Sequence, residues 1–352
     1  MTHIDMEKGF WSGLPKPIIA LAPMDGVTDA AFRYITDKYG KPHILFTEFT
    51  SVEGLSRGAE VLLEAFVHHS TQTPIVAQIF GAEPESFYKT AFILGEMGYD
   101  GIDINMGCPD KNVAKHGGGA GLIRTPELAK RIVRETRRGI QDWAAGKTME
   151  EAGLPEQIYE HVNRYKQSHL DQIKPRRELP VSVKTRIGYD KIVTTEWISH
   201  LLETEPVNIS LHGRTLKQMY TGTADWDEIA KAAELVHRTD TLILGNGDIK
   251  SVHEAADRSR TYGTDGALIG RAAFGNPWLF ADTQTDWKTR LRTAVEHCRA
   301  FVDMTPEQHF LSLRKHMAWY CKGFDRAQEI RIQLMKTNTV EDVARVVEEA
   351  IK

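Results

Sequence analysis

Residues 101–109 read Gly-Ile-Asp-Ile-Asn-Met-Gly-Cys-Pro, an apolar run that ends in a turn carrying Cys108, one of only three cysteines in the chain. A thiol at the carboxyl end of a buried strand sits where a β/α barrel places its chemistry. Most free cysteines are small buried hydrophobes, but Asn105 and Cys108 flank a Met-Gly pair that lets the backbone turn and present both side chains. Cys108 is therefore the first catalytic candidate. The segment Lys115-His116-Gly117-Gly118-Gly119-Ala120-Gly121 follows closely, and its glycines predict a mobile loop that closes over substrate.

Other polar groups fall at the ends of apolar runs. Alternation in 181–186 puts Ser182, Lys184 and Arg186 on one face, with Val181 and Val183 opposite. Two cations inside a fold are costly unless something anionic waits there, so Lys184 suits a negatively charged ring or oxyanion. Gln78 can offer a donor and an acceptor to a ring edge, and Pro23, Met24, Asp25 and Gly26 bring backbone close to a flat ligand. His212 and Arg214 form a second polar pair, although a histidine in this setting is as often a hydrogen-bonded core residue. Asn246, Gly247 and Asp248, with Gly270 and Arg271, close two later runs. Glycine turns after the last two strands of a barrel are a usual phosphate cradle, which points to a phosphate-bearing cofactor.

Chemistry spread over so many segments needs a scaffold that gathers strand ends. Apolar, β-rich runs recur at 18–24, 44–49, 74–80, 101–108, 181–188, 207–213, 242–247 and 266–270, with helical stretches between. This alternation predicts a parallel (β/α)8 TIM barrel. An open doubly wound sheet is the alternative; against it, no G-x-G-x-x-G opens the first helix, and polar residues cluster at nearly every strand end. Helix starts are visible at Thr28-Asp29 and Thr125-Pro126-Glu127. Residues 139–179 exceed what an αβ loop needs and read as a helical insertion on the N-terminal side of strand five.

The strand pattern stops after Phe280, dividing the chain into a barrel domain at 1–283 and a small helical domain at 284–352 with turns at Thr305-Pro306 and Gly323. In the helical domain Arg314, Lys315, Lys322, Arg326, Arg331 and Lys336 outnumber Asp325 and Glu329, and Trp319, Tyr320 and Phe324 are interleaved. Such a mixture suits phosphate contact and base stacking; a solvated helix face over core aromatics gives the same pattern.

A chain of 352 residues has room for one domain of ~250 residues with an appendage. No segment approaches the ~20 apolar residues of a membrane span, and Met1 to Lys8 lack the regions of a signal peptide, so a cytoplasmic protein is expected. Cysteines at 108, 298 and 321, with no CxxC spacing, argue against a disulfide framework and a structural zinc site. His297, Cys298, His316 and Cys321 fit no common ligand spacing, so no metal is expected. A net charge of -4 excludes a globally basic nucleic-acid binder and leaves room for a local basic face.

With these residues assembled, the chain resembles a tRNA-dihydrouridine synthase, nearest the bacterial B-type branch. The resemblance rests on Ala-Pro-Met-Asp-Gly-Val-Thr-Asp at 22–29, Gln78, Asp-Ile-Asn-Met-Gly-Cys-Pro at 103–109, Val-Lys-Thr-Arg at 183–186, His-Gly-Arg-Thr at 212–215, Tyr220 with Gly222 and Asp225-Trp226, Asn-Gly-Asp at 246–248 and Gly-Arg at 270–271. It covers about residues 17–335; the stretch 139–179 is longer than that family usually carries, and the last fifteen residues match no part of its pattern. The resemblance implies FMN at a barrel mouth, NADPH or NADH as reductant, and reduction of the C5–C6 double bond of a uridine in tRNA. By motif, Pro23, Met24, Asp25, Gln78, Lys184, His212, Asn246, Gly247, Asp248, Gly270 and Arg271 would hold the flavin. Asn105, Arg186 and Arg214 would address the substrate, Cys108 would donate a proton, and Lys315, Lys322 and Arg326 would grip the tRNA. A monomer is expected. The competing functions are a flavin-dependent barrel oxidoreductase acting on a free pyrimidine or enoate, and a non-catalytic RNA-binding protein.

Overall fold

The structure is a computed structural model and describes residues 8–306 and 308–352. Its strands are β1 (Ile18–Leu21), β2 (Leu45–Ser51), β3 (Ile75–Phe80), β4 (Gly101–Met106), β5 (Val181–Arg186), β6 (Asn208–His212), β7 (Leu242–Asn246) and β8 (Gly266–Ile269). They form one parallel sheet in the order β1-β8-β7-β6-β5-β4-β3-β2. The ends of that sheet meet: Leu21 N–H donates to Ile44 O at 3.1 Å and His43 N–H to Ile19 O at 2.9 Å, which closes the (β/α)8 barrel.

The period of two fixes what each strand shows to either side. On β1, Ile18 and Ala20 join an inner cluster with Phe46, Val76, Leu244 and Leu268, while Ile19 and Leu21 join the larger shell beneath the surrounding helices. On β4 and β5, Ile102, Ile104, Met106, Val181 and Val183 face that outer shell. The residues between them therefore face inward, as the alternation predicts.

Barrel helices include α1 (Ala30–Gly40), α2 (Val52–Ser56), α3 (Pro84–Glu96), α4 (Lys111–Lys115) and α5 (Pro126–Ala144). Asp29 caps α1 by accepting from Phe32 N–H at 2.8 Å. The sequence places the insertion at 139–179, but α5 continues as a barrel helix to Ala144, because Gly139, Ile140 and Trp143 bury on its inner face. The extra segment thus begins near residue 145 and contains α6 (Glu156–Ser168), whose Ile158, Val162 and Tyr165 are buried. It is tied down by buried Glu96, which accepts from Trp143, Lys166 and Arg176, and by Asp100, which pairs with Lys174 and Arg177. Asp100 precedes β4, on the side of the barrel away from the strand ends that carry the polar residues.

After α7 (Thr194–Leu202), α8 (Trp226–Val236) and α9 (Val252–Tyr262), the chain ends in α10 (Trp287–Met304), α11 (Arg314–Tyr320), α12 (Ala327–Leu334) and α13 (Val340–Ile351). These last four helices share a core built on Leu291, Cys298, Phe301, Met317, Ile330, Leu334, Val343 and Val347, and they seat on α1 through Ala31 and Tyr34. Lys38 and Tyr39 of α1 both donate to Glu296, at 2.7 and 2.6 Å. No helix among the described residues is long and apolar enough to cross a membrane.

Candidate active site

All eight strand ends open onto one cavity of ≈ 1610 Å³. Its walls include Pro23, Met24 and Asp25 after β1, Phe49 on β2, Gln78 on β3, Asn105 and Cys108 at β4, Lys184 and Arg186 on β5, His212 and Arg214 at β6, Asn246, Gly247 and Asp248 at β7, and Gly270 and Arg271 after β8. The sheet register stacks these side chains in layers. Gln78, Asp103 and Ser182 are Cα partners across β3, β4 and β5. Asn105 pairs with Lys184, and Arg186, His212 and Asn246 follow one another round the barrel.

Cys108 is held by its own turn. The Asn105 side-chain oxygen accepts from Cys108 N–H at 2.8 Å and Gly107 N–H at 3.0 Å, while its amide donates to Gln78 Oε1 at 2.9 Å. Asn105 thus uses its polar atoms to shape the cysteine turn while it lines the cavity. Gln78 in turn donates to Asp103 at 2.6 Å, and Ser182 donates to the other Asp103 oxygen at 2.6 Å. Burial raises the Asp103 carboxyl to about 6, against the two hydrogen bonds that lower it. Asp103 was not among the site residues expected from sequence, although the alternation Ile102-Asp103-Ile104-Asn105 already places it on the inward face.

The thiol itself is buried, and Asp110 N–H points at its sulfur at 3.5 Å. Burial pushes the Cys108 thiol above its ordinary pKa; the carboxylates of Asp110 and Asp25 add to the rise, while the Asp110 N–H and Arg186 oppose it. A neutral thiol is an acid, whereas a nucleophilic cysteine must be a thiolate. Behind the turn lie the glycines read as a mobile loop. Instead, Gly119 to Ile123 are buried in a 3-10 turn, Ala120 N–H donates to Cys108 O at 3.3 Å, and a Cβ on Gly119 would stand 3.1 Å from Cys108 Cβ. Gly119 thus permits close approach to the cysteine turn, and Gly118 to Gly121 back Cys108 while Lys115 and His116 stay exposed.

Lys184 projects into the cavity, and among the described residues its ammonium has no hydrogen-bond or ion-pair partner. Burial, with Arg186 nearby, lowers it to about 8. Arg186 is pulled to about 10, again mainly by burial, and donates to Gly107 O at 2.7 Å and to Thr215 O and Met219 O at 3.2 Å each. His212 is held well below its ordinary value by burial and then by Arg186, Lys184, Arg214 and Arg271, so it faces the cavity as a neutral imidazole. Arg214 reaches the wall, but its guanidinium is committed to Thr221 O, Gly222 O and Asp248, the last at 2.6 Å. Asp248 also accepts from Arg271 at 3.0 Å and Ala224 N–H at 2.8 Å, which ties the β6, β7 and β8 loops into one rim. Gly247 has φ +132, and a Cβ there would collide with Ala224. The turn requires glycine.

The helical segment meets this mouth on the β1 side. Lys315 Nζ lies 2.9 Å from where a Cβ on Gly26 would stand, next to Asp25 and Asp29, so it faces the barrel. Lys322 and Arg326 are exposed, and Arg326 is forked onto Glu329 at 3.0 Å through two bonds. The interleaved aromatics pack inward: Trp319 stacks on Phe274 at 4.1 Å, Tyr320 is buried against His297, and Phe324 stacks on Trp287 at 4.9 Å.

A closed parallel barrel whose strand ends gather a protonated thiol, an unpaired lysine and a glycine-lined rim defines a TIM-barrel protein with its chemistry at the C-terminal face. The model of the dihydrouridine synthase (Dus) family matches residues 20–145 and 163–352. The chain belongs to that family. A "Probable tRNA-dihydrouridine synthase" of Staphylococcus aureus (strain COL) is 33% identical over 353 residues, with 98% of this chain and 96% of the relative covered. A "Probable tRNA-dihydrouridine synthase 2" of Bacillus subtilis (strain 168) is 31% identical over 355 residues, covering 98% and 97%. Among solved structures, DHODH from Eimeria tenella in complex with ferulenol shares the fold, at TM-score 0.50 and 11% identity over 80% of this chain and 82% of that one. The family match runs to residue 352, so the terminal helix α13 is part of the shared pattern, contrary to the expectation that the last fifteen residues stand outside it.

Proposed function

We propose that this chain reduces the C5–C6 double bond of a uridine in tRNA to dihydrouridine, with FMN as bound cofactor, NADPH or NADH as its reductant and Cys108 as proton donor. The observation that carries the reading is a neutral thiol fixed by Asn105 at the mouth of a cavity that also holds an unpaired cation, Lys184. The cavity suits a flavin: Gln78 and Lys184 line its depth, and the Gly247 turn with Gly270 leaves room for a phosphate beside Arg271. Pro23, Met24, Asp25, Gln78, Lys184, His212, Asn246, Gly247, Asp248, Gly270 and Arg271 would hold it. When bound, the flavin supplies the hydride that uracil C6 receives.

The chain's own residues do the rest. Cys108 keeps a proton on Sγ and delivers it to uracil C5 as charge develops there. Arg186, whose fork is only partly engaged by carbonyls, is left to address a uracil oxygen. Arg214 and Asp248 hold the rim in shape. Lys184, a cation in the cavity, would favour an anionic reduced state of a flavin held there. A uridine inside folded tRNA cannot reach this depth while stacked, so the base is extruded into the cavity and the helical segment grips the backbone around it. The enzyme acts as a monomer in the cytoplasm.

The test uses the purified protein. A flavin absorbance spectrum, together with dihydrouridine formed in an unmodified tRNA transcript on addition of NADPH or NADH and detected by mass spectrometry, is the expected result. Flavin reduction with no product on tRNA but turnover of free uracil or an enoate would favour the free-substrate oxidoreductase. Absence of flavin would leave a non-catalytic RNA binder.

A further inference from the structure

The polar groups behind Cys108 form a hydrogen-bond chain that starts at Asp103. Asp103 is fully buried, and among the described residues the cavity wall does not include it. Its Cα is paired with Gln78 on β3 and with Ser182 on β5, and each carboxyl oxygen accepts one side-chain bond, from Gln78 Nε2 and from Ser182 Oγ, at 2.6 Å each. From Gln78 the chain runs on. Gln78 Oε1 accepts from Asn105 Nδ2 at 2.9 Å, and Asn105 Oδ1 accepts from Gly107 N–H at 3.0 Å and Cys108 N–H at 2.8 Å.

A side-chain amide has an oxygen that only accepts and a nitrogen that only donates, so it can sit either way round until a neighbour decides. An ionised carboxylate only accepts. Burial raises the Asp103 carboxyl to about 6, opposed by Ser182, Gln78 and Lys184, so it is ionised at neutral pH. It therefore compels Gln78 to present its nitrogen, which leaves the Gln78 oxygen for Asn105 and the Asn105 oxygen for the cysteine turn. A reversed Gln78 would set its oxygen against the carboxylate and force Asn105 to reverse with it. The Gly107 and Cys108 N–H groups would then face a nitrogen, and buried donors left unpaired are costly. Those two N–H groups make the same demand of Asn105, so both ends of the chain agree on one direction.

We propose that Asp103 is a positioning residue for proton delivery: through Gln78 and Asn105 it holds the turn that carries Cys108, without touching cofactor or uridine. This role rests on the reading of Cys108 as proton donor. A positioned acid is effective only while its proton stays aimed at the reacting atom, so loss of the anchor is felt in reduction of the uridine and spares reduction of the flavin.

The test compares flavin-loaded wild type with Asp103→Leu, Asp103→Val and Asp103→Asn. The two apolar substitutions remove the acceptor in different shapes, so a fold lost in one leaves the other. Asp103→Asn keeps an acceptor, since the new amide oxygen can face Gln78 while its nitrogen faces Ser182, whose hydroxyl can turn to Ile102 O at 3.4 Å. One readout is alkylation of each cysteine by iodoacetamide, followed by peptide mass spectrometry. The other is dihydrouridine formed on tRNA by the pre-reduced enzyme, per bound flavin. Both apolar variants should raise Cys108 alkylation and slow product formation by about tenfold, the worth of one buried hydrogen bond left unmade, and Asp103→Asn should stay within about threefold of wild type. Flavin bleaching by NADPH or NADH should be unaltered. Cys298 and Cys321, buried in the helical segment, should alkylate as before.

Unaltered Cys108 alkylation and product formation in both apolar variants overturn the role, as does a rise shared by all three cysteines, which would mark general loosening of the fold. Slower product with unaltered Cys108 alkylation also overturns it and places Asp103 behind the flavin. Asp103→Asn as damaged as Asp103→Leu contradicts a role for hydrogen-bond direction. A wild-type protein that forms no dihydrouridine, while Cys108 alone gains reactivity in the variants, overturns the proton-donor reading and leaves the anchoring of the turn standing.

Discussion

The barrel mouth and the helical segment fix their polar side chains in different ways. At the mouth, Gln78, Asn105, Lys184, Arg186, His212 and Asn246 converge because each occupies an inward position on a strand whose neighbours are fixed by register. In the helical segment, Lys315, Lys322 and Arg326 are close in sequence yet have three different surroundings: the Gly26 turn, a cationic neighbour and an ion pair with Glu329. A sheet converts sequence position into geometry through a period of two, whereas helix ends and turns acquire their facing from the packing that seats them.

That contrast can be broken most forcefully at the rim. Arg214 is 2% exposed, and its carboxylate partner Asp248 is partly open to solvent. Breaking a fully buried pair costs ~3–5 kcal/mol, and the open side of Asp248 reduces this. Arg214→Met should therefore cost about 2–3 kcal/mol, seen as a lowered Cm in urea, with flavin lost alongside. Flavin retention at full stability would mean the rim is not held by this pair. Next in size, Gly247→Ala forces a side chain into a left-handed backbone and against Ala224. About 1–3 kcal/mol of strain is expected, with weakened flavin binding in equilibrium dialysis. Unaltered binding would show that the turn adapts.

Lys184 sharpens the comparison through pH. Its free-state pKa lies at about 8, and an anionic ligand raises it, so flavin affinity should be constant below pH 8 and fall as pH rises through and above it. Lys184→Met should bind about 10- to 100-fold more weakly, the worth of a charged hydrogen bond, and lose that pH dependence. An equally steep fall in the variant would assign the dependence to another group. The smallest effect belongs to the helical segment. Arg326 and Glu329 are both more than half exposed, and such pairs contribute ~0.2–1 kcal/mol. Arg326→Ala should change the melting temperature by no more than a degree or two and leave tRNA affinity within about twofold, because Glu329 already engages its fork; a large loss of affinity would place Arg326 in the RNA grip.

The strands, their inward faces and the cavity they enclose were legible because hydrophobic alternation encodes them directly. Cys108 and Lys184 were legible for the same reason. Asp103 obeyed that alternation too, but a buried carboxyl between two isoleucines gives no hint that it will anchor Gln78 and Ser182 until β3 and β5 are set beside it. The contacts that hold Asn105 and Arg214 were not legible, since they run to turn backbone groups and to Gln78 and Asp248, which come together only in three dimensions. The glycine run at 117–121 was ambiguous in principle: the missing Cβ that permits mobility also permits close packing, and here Cys108 fills the space. The start of the insertion was misplaced because the buried face of α5 continues unbroken past residue 139.

The central claim is that Cys108 serves as an acid for the uridine and has no part in reducing the cofactor. It is tested most directly by following the two half-reactions separately in Cys108→Ala: flavin bleaching on mixing with NADPH or NADH, then flavin reoxidation and dihydrouridine formation on mixing the reduced enzyme with tRNA. The account predicts normal flavin content and normal bleaching, with product formation slower by a factor of ~10² to 10⁴, the usual contribution of a positioned proton donor. Product formation at the wild-type rate, or an equal loss in both half-reactions, would contradict it.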